Sequence, residues 1–262
     1  MPYAETARET LFYTRSPGPV DGPTLVLVHG AGGTRVHWPA ELRRLSGATV
    51  YTLDLPGHGR SGGQGHGTIE AYAEAVAAFL DTVGIEQAVV AGHSMGGAIA
   101  MTLALNQAPS PEPGQARVVG LVLVATGARL RVAPAILEGI RSDFEGIVQL
   151  ITRFAWSPDA APPLTELGRQ ALREASPDIL WADFMACDRF DVMERLGEIA
   201  VPTLVIGGCA DQLAPVKYTR FLGEHIPGAS IVTIEDAGHM VMLERPAETA
   251  KAVGEFLLSA FR

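Results

Sequence analysis

The stretch Ala88-Val89-Val90-Ala91-Gly92-His93-Ser94-Met95-Gly96-Gly97-Ala98-Ile99-Ala100-Met101 decides how the rest of the chain is read. An apolar, strand-like run enters Gly-x-Ser-x-Gly and leaves it as a segment rich in good helix formers. A strand that turns sharply into a helix through that motif holds its serine in a strained backbone geometry. Glycines are needed on both sides, because a Cβ there would strike the neighbouring strand or helix. Ser94 is therefore the candidate nucleophile. The backbone N–H of Met95, at the positive end of the following helix, is a candidate donor to an oxyanion.

A serine hydroxyl is a poor nucleophile until an imidazole takes its proton, and the imidazole needs a carboxylate to fix its tautomer. For this kind of turn the three should follow in the order Ser, Asp, His. The run Ser230-Ile231-Val232-Thr233-Ile234-Glu235-Asp236-Ala237-Gly238-His239 reads as a strand, a short loop and then His239. A loop there can project His239 over a sheet edge, which makes it the candidate base. For the acid, a buried strand near 203–206 ends at Gly207-Gly208, and Asp211 lies in the loop beyond. Asp236 competes, but it shares a short loop with His239 and is poorly placed to brace the ring from behind. Asp211 is the preferred acid. Upstream, Leu25-Val26-Leu27-Val28 runs into His29-Gly30-Ala31-Gly32-Gly33. Such a glycine-rich loop can bring a second backbone N–H to the oxyanion, and Ala31 is the candidate.

His29-Gly30, the segment Asp54-Leu55-Pro56-Gly57-His58-Gly59-Arg60-Ser61, the serine turn, Asp211 and Gly238-His239 together resemble the α/β-hydrolase superfamily. The likeness covers nearly the whole chain, with the middle segment least similar. Within the superfamily it resembles the small esterases, lactonases and cofactor-free haloperoxidases more than long lipases. The resemblance implies Ser94 as nucleophile, His239 as base, Asp211 as acid, and oxyanion donors at Ala31 and Met95. It also implies hydrolysis of a carboxylic ester, lactone or thioester of a small molecule through an acyl-enzyme; no cofactor is expected, and no metal, since no Cys/His cluster has metal-ligand spacing. Carbon–carbon bond hydrolysis, perhydrolysis, hydroxynitrile cleavage or a ligand-receptor role use the same triad and stand as alternatives. Dehalogenases and epoxide hydrolases of the superfamily use an aspartate where this chain has Ser94. Epoxide hydrolases also need cap tyrosines, and residues 128–198 contain none.

Strand-like runs near 11–15, 24–29, 48–53, 87–92, 118–125, 202–207 and 230–235 alternate with helical patterns near 68–83, 94–107, 216–225 and 246–260. That alternation predicts a mostly parallel sheet flanked by helices. Thr68 is placed to cap the helix that follows it. Residues 128–196 interrupt the alternation and read as a helical cap, or lid, inserted into a core made of 1–127 and 197–262. Ile136, Leu137, Ile140, Phe144, Ile147, Val148 and Ile151 share one helical face, Pro158, Pro162 and Pro163 break the chain, and 164–175 and 178–187 read as further helices. Gly32, Phe144 and Trp181 are the expected substrate contacts.

The chain has 262 residues and a formal net charge of −9, which disfavours nucleic acid as a partner. Gly57-His58-Gly59-Arg60-Ser61-Gly62 fits a dinucleotide fingerprint, but more glycines follow where a helix should open, so no such cofactor is expected. The first residues lack an apolar signal core, and the longest apolar runs are strand-sized, so no signal peptide and no membrane span are expected. Two cysteines, Cys187 and Cys209, make no disulfide framework, and a cytoplasmic location is expected. Oligomeric state is left open.

Overall fold

The computed structural model describes residues 2–107 and 116–261. Eight strands form one sheet: β1 (Tyr3–Glu5), β2 (Thr10–Ser16), β3 (Thr24–Val28), β4 (Thr49–Leu53), β5 (Ala88–His93), β6 (Val118–Val124), β7 (Thr203–Gly208) and β8 (Ser230–Ile234). Their order across the sheet is β1-β2-β4-β3-β5-β6-β7-β8. The β1–β2 and β2–β4 pairs are antiparallel, and every other pair is parallel. β1 is too short to give a sequence signal of its own; the antiparallel edge it forms completes the sheet.

The unbroken apolar runs of the inner strands follow from burial on both faces. Along β3, Val26 and Val28 point to one face, where they meet α2 (Ile69–Val83) and α3 (Met95–Asn106). Leu25 and Leu27 point to the other, where Trp38, α1 (Ala40–Arg43) and α10 (Pro246–Ala260) cover them. Trp38, Tyr72 and Phe79 are the largest wholly buried side chains. Truncating one such aromatic to alanine costs about 3–5 kcal/mol, a large share of a domain's net stability of about 5–15 kcal/mol. Thr68 caps α2 as its sequence position suggests, its hydroxyl accepting from the Ala71 N–H at 3.3 Å. α8 (Val216–His225) lies between β7 and β8, and the short α9 (Val241–Glu244) precedes α10.

Four helices stand between β6 and β7: α4 (Pro134–Ser142), α5 (Phe144–Ala155), α6 (Pro162–Arg173) and α7 (Pro177–Arg189). The insertion is pinched at its neck. Arg129 and Asp191 form an antiparallel bridge, and the Val192 N–H donates to the Ala128 carbonyl at 2.8 Å. The apolar face expected to run continuously from Ile136 to Ile151 is divided between α4 and α5. Asp143 separates them, and its carboxylate caps α5 by accepting from the Gly146 N–H at 3.1 Å. The helices break where Pro158, Pro162 and Pro163 are expected to break them, between Ala155 and Pro162. Pro162 and Pro177 open α6 and α7 from the first turn, where the missing N–H costs nothing. Among the described residues no helix is long and apolar enough to cross a membrane.

Candidate active site

β5 delivers Ser94 at φ 52° and ψ −116°, and α3 begins at the next residue. A non-glycine residue held there costs about 1–3 kcal/mol, so the surroundings must impose it. They do so by contact. A Cβ on Gly92 would lie 2.0 Å from the Gly96 carbonyl oxygen, and one on Gly96 would lie 2.3 Å from that of Val28. The Ser94 N–H donates to the Val124 carbonyl at 2.9 Å, and the Thr126 hydroxyl donates to the Ser94 carbonyl at 2.8 Å. The turn is thus tied to β6 on both sides of its peptide.

Asp211 stands in the loop after β7 with its side chain wholly buried. One carboxylate oxygen accepts from the Leu213 and Ala214 N–H groups, both at 2.8 Å, and the other meets His239 Nδ1 at 2.9 Å. The two loops can approach because Gly208 has no side chain: a Cβ there would lie 2.3 Å from the Ala237 carbonyl oxygen. Asp236 is exposed, sits at φ 50° and has no contact with the imidazole.

The histidine loop is held from several directions. His93 Nε2 donates to the His239 carbonyl at 3.0 Å, and the Met240 N–H donates to the Ala155 carbonyl of α5 at 3.1 Å. Glu244 accepts from the Gly238 N–H at 2.9 Å and from the Ser157 N–H at 3.0 Å. The His93 and His239 rings are 4.9 Å apart. Burial, and secondarily the neighbouring His239, hold His93 well below the ordinary histidine range, so His93 is neutral. Glu244 and His93 were not singled out by sequence: His93 reaches a loop 146 positions away, and Glu244 joins the nearby Gly238 to Ser157, 87 positions away.

Gly30 lies against the serine turn; a Cβ on it would be 3.1 Å from Ser94 Cβ. The Ala31 and Met95 N–H groups have no acceptor among the described residues. His29 supports the loop, donating from Nδ1 to the Gly30 carbonyl at 2.8 Å and accepting the Leu55 N–H at Nε2 at 2.9 Å. Burial first, then the nearby His58, pushes His29 far below the ordinary range and leaves it neutral. The Asp54–Ser61 segment is also a brace. Asp54 accepts from the Arg35 N–H and guanidinium at 2.7 and 2.9 Å and from the Arg60 N–H at 3.0 Å.

Ser94, His239, Gly30 and Ala31 open onto one cavity of about 620 Å³ between the sheet edge and the inserted helices. Ile136, Ile151, Leu164 and Phe184 line it from the insertion, and Leu213 and Met240 from the core loops. The three expected substrate contacts lie elsewhere. Phe144 packs against the apolar cluster of the inserted helices, and Trp181 lies under the Arg141 guanidinium at 3.7 Å. Gly32, at φ 61°, is covered by Leu172 and Leu180. Periodicity identified an apolar face without saying which members of it look onto the cavity. Among the described residues the Ser94 hydroxyl makes no hydrogen bond; in such sites that contact tightens when substrate binds.

The doubly covered, mostly parallel sheet, with a strained serine turn and an imidazole–carboxylate pair at its carboxyl edge, is the architecture of the α/β hydrolases. The chain matches the alpha/beta hydrolase family over residues 25–252 and belongs to it. It is 30% identical over 246 residues to the pimeloyl-[acyl-carrier protein] methyl ester esterase of Neisseria meningitidis serogroup C, covering 88% of this chain and 92% of that protein. Among solved structures it resembles a thermophilic esterase, at 34% identity and a TM-score of 0.84, over 98% of this chain and 97% of that one. It also resembles the enol-lactonase of Burkholderia xenovorans LB400, at 27% identity and a TM-score of 0.88, over 98% of this chain and 100% of that one.

Proposed function

We propose that this protein hydrolyses carboxylic esters or lactones of small, largely apolar molecules through a covalent intermediate on Ser94. The observation that carries the reading is the buried Asp211–His239 pair, facing the same cavity as a serine held at positive φ. His239 Nε2 takes the Ser94 hydroxyl proton as the oxygen attacks the acyl carbon. Asp211 holds the Nδ1–H and stabilises the imidazolium. The Ala31 and Met95 N–H groups receive the oxyanion. His239 then protonates the leaving alcohol, and a water deprotonated by the same ring releases the acid.

The relatives named as an esterase and as an enol-lactonase support both substrate classes. The cavity wall, mostly apolar with Arg131 and Glu174 also on it, supports a largely apolar acyl or alcohol portion. Val36, Leu167 and Leu213 are exposed at its lining, so the apolar surface continues to the mouth. Two free thiols, at Cys187 and Cys209, suit a reducing cytoplasm.

The test is Ser94→Ala, assayed on aryl esters of graded chain length and on lactones. Turnover is expected to fall by several powers of ten, since members of a triad act as a unit. A fluorophosphonate is expected to label the native protein and not the variant. Equal labelling of both would remove Ser94 from the role.

A further inference from the structure

Asp183, on α7 of the inserted helices, is a carboxylate with no exposed surface, and it reaches into the core beneath the oxyanion loop. One of its oxygens accepts the Gly32 N–H at 2.8 Å and faces His58 Nε2 at 2.8 Å. Its other oxygen accepts the Tyr72 hydroxyl. Tyr72 has no exposed surface and His58 is 4% exposed. The second ring nitrogen of His58, Nδ1, faces the Pro56 carbonyl at 2.9 Å. An imidazole with an acceptor at each nitrogen carries both protons, so His58 and Asp183 form a buried ion pair. Burial works against that charge, but the Asp183 carboxylate outweighs it and raises His58 above the ordinary histidine range.

This arrangement does more than fasten a helix. Gly32 is the residue after Ala31, and at φ 61° its N–H turns away from the cavity towards α7. Leu172 and Leu180, from α6 and α7, close over the same glycine. The loop is therefore clamped between His29 on the core side and Asp183 on the inserted side. The positive imidazolium also cancels the carboxylate, so no net negative charge stands behind a hole built to receive an oxyanion.

We propose that Asp183 is a positioning residue for the oxyanion hole: its carboxylate, carried on α7, holds the Gly30–Gly32 loop so that the Ala31 N–H faces the cavity. The inserted helices then support the chemistry as well as walling the pocket. The proposal rests on the reading of Ser94 and Ala31 given above.

The experiment compares the native chain with Asp183→Asn and with a triple replacement, Tyr72→Phe/His58→Leu/Asp183→Leu. The triple variant removes every polar member of the cluster together and leaves no buried charge unpaired, the condition under which such networks are replaced without loss of stability. It also leaves the Gly32 N–H without its acceptor. The readouts are Tm, kcat and KM on one aryl ester, affinity for a phenylboronic acid whose tetrahedral adduct occupies the oxyanion hole, and fluorophosphonate labelling of Ser94.

The triple variant is expected to fold and to melt a few degrees below the native temperature, by no more than the orphaned Gly32 N–H accounts for. It is expected to lose kcat roughly 10–100-fold with KM within about threefold. Boronate affinity should fall in step with kcat. Asp183→Asn, which keeps one oxygen for Gly32, is expected to fall between the two, and it carries the test if the triple variant does not fold. Native kcat in a folded triple variant, or in Asp183→Asn where that variant carries the test, would show that Asp183 only anchors the insertion. A rise in KM with kcat unchanged would make it a pocket-shape effect. Either result overturns the proposal. Native protein that leaves Ser94 unlabelled overturns the underlying reading, whatever Asp183 does.

Discussion

An imidazole that is to gain a proton in mid-reaction needs an anion behind it that water cannot screen, and on the proposed mechanism Asp211 is placed to meet that need where Asp236 is not. Asp211 is buried, and two backbone N–H groups fix its rotamer with one oxygen left for His239. Asp211→Asn is expected to lower kcat roughly 10⁴-fold by favouring the wrong imidazole tautomer, as in other serine triads. Asp236→Asn should stay within a few-fold of native. Steady-state kinetics on one aryl ester check this, and the opposite ranking would reassign the acid. That Ser94, Asp211 and His239 would gather at one sheet edge was legible because each ends or follows a strand beside glycines, a local signal. Asp183 and His58 were not, because their contact spans 125 positions and nothing near either residue announces it.

At the scale of elements, all four of Phe144, Ile151, Trp181 and Phe184 pack against the inserted helices' own apolar cluster, but only Ile151 and Phe184 also line the cavity. Ile151→Ala and Phe184→Ala are expected to shift the ratio of kcat/KM between short and long acyl esters. One or two methylenes of contact are worth about 1–3 kcal/mol, so the shift should be at least several-fold. Phe144→Ala and Trp181→Ala should lower Tm and leave that ratio unchanged. A specificity profile with a melt for each variant separates the groups, and identical behaviour of all four would mean that the cavity wall does not select acyl length. The core strands were readable because double burial makes them continuous apolar runs. The insertion was readable only as helical, since apolar spacing fixes a face but not the partner it meets. The break at Asp143 left a faint trace, Ser142-Asp143 followed by Glu145, a cap with an acid in the first turn.

For the molecule as a whole, three buried or half-buried histidines set the acid limit. His29, His37 and His93 are all held below the ordinary value of 6.5, burial being the largest cause in each, and His37 is lowered to about 4. Between those values the unfolded chain binds protons that the folded one refuses, so stability falls as pH falls from about 6.5 towards 4. His58 has the opposite sign. Its contribution is full below 6.5 and is lost as pH rises through its raised value. Tm is therefore expected to peak near neutrality and to drop on the order of 5–10 °C by about pH 4.5, with a shallower decline on the alkaline side. Melts across that range test it, and a Tm that stays level or rises into acid would contradict it. The parallel order of β5, β6, β7 and β8 has a further consequence, for biosynthesis. A ribosome that has delivered β5 and α3 has already supplied Ser94, but the residues of β6 that hold its turn come later, Asp211 arrives only after β7, and His239 only after β8. On the proposed mechanism, a nascent or truncated chain ending before β8 carries Ser94 without the imidazole meant to activate it, so premature release is expected to yield an inert polypeptide.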